Sequence, residues 1–158
     1  MNSIPVLVYG TLRPGGSNYG GFLQGRTTAE QNVQLEGFIM YGESGCPFLD
    51  KGNRVVTATL VHLEESRYQE TLNHLDLLEG YRGPGDDENS YERILHTFTL
   101  DGVKTQAWVY VMSDSLKVYV LGSTPVLESG DWIAHVRDRE QQWMDEFDQH
   151  AAEGMPLY

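Results

Sequence analysis

Val6-Leu7-Val8-Tyr9-Gly10-Thr11-Leu12-Arg13-Pro14-Gly15 begins with four β-favouring apolar residues and breaks at a glycine. A short apolar run ended by Gly10 reads as a buried first strand. The character then reverses. Glycines stand at 10, 15, 16, 20 and 21 with Pro14 among them, which predicts a long irregular loop entering a short helix near Tyr19–Leu23. Such a loop can turn consecutive backbone N–H groups toward one point and hold an anion. Thr11 adds a hydroxyl donor. The loop lacks the Gly-Lys-Ser/Thr of a P-loop and does not fit Gly-x-Gly-x-x-Gly. A structural turn without a ligand explains the same residues.

Outward from this stretch, Val33–Phe38 alternates with period two and predicts a second strand, and Val55–Val61 a third. The segment 42–53, with Pro47 and several glycines, reads as a loop. From Glu64 to Leu78 the period changes. Tyr68, Leu72, Leu75 and Leu78 fall on one helix face, and Gly80 is a stop signal just beyond. Residues 83–89 are turn-rich and acidic, a surface loop. Arg93–Leu100, Asp101-Gly102 and Val103–Met112 form a hairpin pattern. Ser129-Gly130-Asp131 can cap a last helix with Trp132, Val136, Trp143, Met144 and Phe147 as its stripe. Helices mixed with antiparallel pairing indicate an α+β domain on a curved or closed sheet.

The chain of 158 residues is of single-domain length. Lys and Arg number 11 against 23 Asp and Glu, a formal charge of −12. An exterior this acidic repels phosphate backbones and anionic lipid heads, so neither nucleic acid nor a membrane surface is an expected partner. Cys46 is the one cysteine, so no intrachain disulfide forms. The five histidines lack ligand spacing, and no metal site is expected. The first five residues lack a basic region followed by an apolar stretch, and no run approaches the ~18 apolar residues of a membrane span. A cytoplasmic location is expected.

Three groups of residues can carry chemistry. The loop Tyr9–Gly16 is the first. Glu79 is the second, at the carboxyl end of the predicted helix in Leu75-Asp76-Leu77-Leu78-Glu79-Gly80-Tyr81. The partial negative charge of the helix end and the like charge of Asp76, with partial burial, would raise its pKa toward the range of a general base. A solvated surface acid is the plainer reading. The third group is Tyr91-Glu92-Arg93 facing Trp108-Val109-Tyr110 across the hairpin, where rings can wall a pocket with tyrosine hydroxyls as polar handles. Packing of the sheet core is the commoner explanation of such aromatics. Cys46 has no histidine partner identifiable in sequence and is a weak nucleophile candidate.

Taken in order, these motifs resemble the γ-glutamylcyclotransferase-like family, with its γ-glutamylamine cyclotransferase and AIG2-like branches. Val8-Tyr9-Gly10-Thr11-Leu12-Arg13-Pro14-Gly15 is similar to the family's substrate-binding loop. Leu75–Tyr81 is similar to the segment carrying its acid–base glutamate. Tyr91-Glu92-Arg93 matches a Tyr-x-Arg strand, Ala107-Trp108-Val109-Tyr110 a Trp-x-Tyr strand, and Ser129-Gly130-Asp131-Trp132 a motif near the end of bacterial members. The resemblance implies one domain over 1–158, a small mixed β-barrel with flanking helices; the acidic helical extension from about residue 132 is longer than a minimal member of the family would carry.

It also implies a reaction. The α-amine of a γ-glutamyl group attacks its own γ-carbonyl, releasing an amine and 5-oxoproline, without metal or organic cofactor. Glu79 would be the general acid and base. Tyr9, Gly10, Thr11, Leu12, Arg13, Tyr91 and Tyr110 would bind the small-molecule substrate. The backbone of 10–12 would hold its α-carboxylate or the developing oxyanion. A neutral backbone loop reconciles an anionic ligand with the acidic exterior, which would itself suit a cationic leaving amine. A non-catalytic binding module on the same scaffold, and association through the acidic terminal helix, are the rival readings. Oligomeric state is not legible.

Overall fold

The apolar run becomes β1 (Val6–Val8), a strand buried along its length. Successive side chains of a strand face opposite ways, so Leu7 and Tyr9 enter one core and Val6 and Val8 another. That double burial is why the run is continuously apolar. The computed structural model describes residues 3–154; residues 1–2 and 155–158, the two ends of the expected domain, lie outside the described residues.

Two hairpins flank β1. On one side β3 (Phe48–Leu63) pairs antiparallel with β1, placing Val6 opposite Val61, and with β2 (Thr27–Tyr41) beyond it. On the other side β5 (Val103–Met112) runs parallel to β1, with Val6 opposite Trp108, and pairs with β4 (Tyr91–Leu100). The order β2-β3-β1-β5-β4 gives one five-stranded mixed sheet with β2 and β4 at its edges. The α+β architecture is as expected. The closed barrel is not formed: the sheet stays open, because its two edge strands do not pair with each other.

β2 and β3 are far longer than the strands read at 33–38 and 55–61. They form one hairpin whose turn is 42–47, so Asp50–Asn53 lies inside a strand rather than a loop. The pairing slips around Gly37 and Phe38, and an exposed polar stretch hides the strand period there. The Asp101-Gly102 turn matches expectation, with φ of 50° and 79° at its two central residues, as a tight primed hairpin turn requires.

The helix read at 64–78 is a short 3₁₀ turn (Glu65–Arg67) followed by α2 (Tyr68–Leu78). Leu72 and Leu75 bury against the Val6/Val8 face of the sheet. Each fully buried leucine contributes roughly 2 kcal/mol. A four-residue helix, α1 (Tyr19–Phe22), ends the glycine-rich loop. The sequence reading missed α3 (Asp114–Leu121), whose cap is Ser113 accepting from the Leu116 N–H at 3.2 Å.

The last helix, α4 (Trp132–Glu153), starts where expected: the Asp131 carboxylate accepts from the Ala134 N–H at 3.1 Å. Its stripe divides. Trp132 and Ile133 fill the core on the Leu7/Tyr9 face, whereas Trp143, Met144 and Phe147 stay 60%, 49% and 39% exposed. No helix among the described residues is long and apolar enough to cross a membrane.

Candidate active site

Glu79 is placed by the way α2 stops. Gly80 takes a left-handed φ of 64°, the Gly80 N–H donates to the Leu77 carbonyl at 3.2 Å, and the Tyr81 N–H reaches the Asp76 carbonyl at 2.8 Å. This paired closure is the Schellman arrangement, which favours glycine at the reversed position. The turn leaves Glu79 at the carboxyl cap, with its side chain in a cavity of about 160 Å³.

The loop after β1 forms the facing wall. Arg13 N–H closes a turn on the Gly10 carbonyl at 3.0 Å, Gly16 N–H a second on Arg13 at 2.7 Å, and Asn18 N–H binds the Thr11 carbonyl at 2.8 Å. These bonds use carbonyls. Among the described residues no backbone acceptor takes the N–H groups of Gly10, Thr11 or Leu12. Asn18 Nδ2 donates to Thr11 Oγ1 at 2.9 Å, which leaves the threonine hydroxyl proton for another acceptor. Pro47, from the β2–β3 turn, packs so tightly on Gly10 that an added Cβ would fall 2.4 Å from its Cγ.

Burial pushes the Glu79 carboxyl up to about 7, with no cation or hydrogen-bond donor set against it. The sequence reading anticipated the direction and named partial burial beside the helix end and Asp76; of these, burial is the cause found. Asp76 is instead turned away: Arg93 grips it through Nε at 2.8 Å and Nη2 at 3.2 Å, and the Tyr110 hydroxyl donates to it at 2.6 Å. The guanidinium is sandwiched further, 4.3 Å from the Trp108 ring centroid and 5.1 Å from that of Tyr81.

Every other ionisable neighbour in the cavity stays neutral. Burial raises Tyr9, Tyr91 and Tyr110, and Glu79 adds to each rise. Burial and then Glu79 also raise the thiol of Cys46. A thiol held protonated is a poor nucleophile. Proton exchange near neutral pH is therefore concentrated on one carboxyl.

Of the residues singled out in sequence, the structure brings Tyr9, Gly10, Thr11, Leu12, Glu79, Tyr91 and Tyr110 to this cavity. It does not bring Arg13. That side chain is buried away from the cavity, with Nε donating to Thr59 at 3.2 Å and Nη1 paired with Asp131 at 3.0 Å. Arg13 ties the loop to the start of α4. The tyrosines also differ from expectation as polar handles: Tyr9 donates to the Tyr110 carbonyl at 2.7 Å, Tyr91 to Pro47 at 3.4 Å, and Tyr110 to Asp76. Their hydroxyl protons are committed to the protein. Leu7, Val8, Asn18, Cys46, Pro47 and Leu78 complete the lining. For Asn18 and Pro47 no sequence signal distinguishes them from ordinary loop residues.

Comparison with known proteins places the chain in a family. Residues 6–134 match the family model described as gamma-glutamyl cyclotransferase, AIG2-like. The gamma-L-glutamyl-butirosin B gamma-glutamyl cyclotransferase of Niallia circulans is 32% identical over 106 residues, 67% of this chain and 65% of that protein's length. Two solved structures share the fold. One is an uncharacterised protein from Pyrococcus horikoshii, with a TM-score of 0.57, 20% identity, and coverage of 88% of this chain and 97% of that one. The other is ytfP from Escherichia coli, with a TM-score of 0.54, 22% identity, and coverage of 82% and 96%. With its loop, helix-capping glutamate and tyrosine strands lying inside the matched span, the chain belongs to the gamma-glutamyl cyclotransferase, AIG2-like family.

Proposed function

We propose that this protein is a γ-glutamyl cyclotransferase that converts a γ-glutamyl amide to 5-oxoproline and a free amine. The observation that carries the reading is a lone carboxyl raised to about 7, sharing a small cavity with a loop of unengaged backbone N–H groups. The α-amine nitrogen attacks the γ-carbonyl carbon, and the bond from that carbon to the leaving nitrogen breaks. Glu79 takes the proton that the attacking nitrogen sheds and returns it to the departing one. No water is consumed and no electrons are gained or lost, so the step balances without a redox partner.

The N–H groups of Gly10, Thr11 and Leu12 bind the α-carboxylate or the oxyanion, the role best filled by pre-aligned dipoles. Fixing the two ends of the γ-glutamyl group brings amine and carbonyl together, which is where an intramolecular reaction gains most of its rate. Tyr9, Tyr91 and Tyr110 shape the cavity and keep it neutral around Glu79. The substrate partner is a small γ-glutamyl compound.

The test is incubation with a panel of γ-glutamyl amides and detection of 5-oxoproline by mass spectrometry. Turnover is expected, with kcat/KM rising through about pH 7 as Glu79 ionises. Binding of the amides without any 5-oxoproline would overturn the enzyme and leave the binding module.

A further inference from the structure

We infer that α4 builds a leaving-group subsite beside the catalytic cavity, and that it accepts an amine carrying an arylalkyl body rather than a polyamine. The inference rests on the cyclotransferase reading above and names its substrate class. Size is the first argument. A cavity of about 160 Å³ is below the roughly 300 Å³ at which pockets for drug-sized ligands begin, and it takes only a small head group. A second space, of about 930 Å³, is lined in part by chain neighbours of the residues that line the first.

The same two loops wall both. Asn18 and Cys46 line the small cavity, while their chain neighbours Ser17 and Gly45 line the larger cleft. Neighbouring Cα atoms are about 3.8 Å apart, so the two rims meet within one residue on each loop. The leaving amine's proposed path crosses that rim into the cleft.

The far wall is α4. It is bound to both loops: Asp131 pairs with Arg13 of the first, while His135 at 2.8 Å and Arg139 meet the Glu43 carbonyl of the second. The cleft is thus held open by fixed contacts. Its floor is apolar, with Trp132 and Val136 below and the exposed Trp143 and Met144 on the outer turn. Trp143 stacks on Phe147 with ring centroids 5.6 Å apart, which holds its indole in place. The charge of the cleft is balanced, Glu43 and Glu140 against Arg137 and Arg139. The acidity of the chain as a whole is not concentrated here, so a polyamine finds no excess of acid. A flat hydrophobic body finds an indole and a thioether.

Trp143 is then a specificity-determining residue, and its exposure means that its truncation leaves the fold intact. The experiment compares 5-oxoproline release from γ-glutamyl-phenethylamide, γ-glutamyl-methylamide and γ-glutamyl-putrescine by the full chain and by Trp143→Ala and Trp143→Phe. The phenethylamide should have the highest kcat/KM. Trp143→Ala should lower it about tenfold through KM, leave the methylamide unchanged, and be rescued by Trp143→Phe. Equal loss on all three compounds, or a preference for putrescine indifferent to Trp143, overturns the subsite and leaves the cyclotransferase standing. Absence of 5-oxoproline from every compound overturns the cyclotransferase and the subsite together.

Discussion

Asp76 and Arg93 form a two-pronged ion pair, at 2.8 and 3.2 Å, that turns a carboxylate one helical turn before Glu79 away from the cavity. Both side chains are about five-sixths buried, at 16% and 15% exposure. Without the pair, Asp76 would be a like charge close to Glu79. The helix therefore carries two acids in different settings, one ion-paired with Arg93 and one lining the cavity.

Arg93→Met, which keeps the bulk over Trp108, should destabilise the fold by about 3 kcal/mol because it strands a largely buried carboxylate. It should also raise the Glu79 midpoint by about one pH unit, as an uncompensated like charge does. Side-chain carbon NMR of Glu79 reads the midpoint without reference to turnover. An unmoved midpoint would show that Asp76 does not act on Glu79.

Glu79→Gln should fold and lose cyclotransferase turnover by about 10²–10⁴-fold, the usual contribution of a positioned acid or base. It should also be more stable than the parent at pH 8. Because burial raises the folded carboxyl above its unfolded value, the folded state holds the proton more tightly. That contribution is fully present below about pH 4.5 and is lost as pH rises through about 7. The parent alone bears the loss, so a gap of roughly 1–3 kcal/mol at pH 8 should shrink to nothing by pH 4. Urea denaturation at both pH values measures it, and a gap that does not vary with pH would contradict the burial of Glu79.

Gly10→Ala tests the contact between the loop and the β2–β3 turn. The new methyl would lie 2.4 Å from Pro47 Cγ and 2.8 Å from Cδ, and a proline ring cannot swing aside. The loop must move instead. The expected cost is about 1–3 kcal/mol of stability, with turnover reduced about 10²-fold by a misplaced oxyanion cradle. Thermal denaturation and steady-state kinetics check the two parts. Full activity would show that the cradle does not depend on Gly10.

Asp131→Ser separates two duties of one carboxylate. A serine still caps α4 through the Ala134 N–H, but it leaves the buried Arg13 guanidinium without its counter-charge. The expected loss is about 3 kcal/mol, seen as a fall in Tm of about 8 °C. A change of under about 1 °C would mean that the ion pair does not anchor the loop.

Local rules account for what could be read from the chain alone. The Asp101-Gly102 turn, the Gly80 stop and the Asp131 cap each depend on residues within four or five positions, so composition and spacing reveal them. The double-faced burial of β1 is visible because a strand covered on both sides has no polar period. The motif order carried the family. It also grouped Glu79, the loop at 10–12 and the two tyrosine strands, and the structure brings Glu79, that loop, Tyr91 and Tyr110 to one cavity.

Tertiary structure decided the rest. The residue that neutralises Asp76 lies 17 positions away on another element, and Pro47 reaches Gly10 from a turn 37 positions on. Such pairings arise from sheet register and leave no mark on either local pattern. The sequence marked Arg13 as a ligand for substrate, yet long-range burial assigned it to Asp131. Likewise the α4 stripe reads as uniformly apolar, but only its first turns meet the core; Trp143 and Met144 line the cleft instead. What the residues by themselves determined was the chemistry available. Where each charge is buried, and against what, belonged to the fold, since desolvation depends on every chain segment that excludes water from a group.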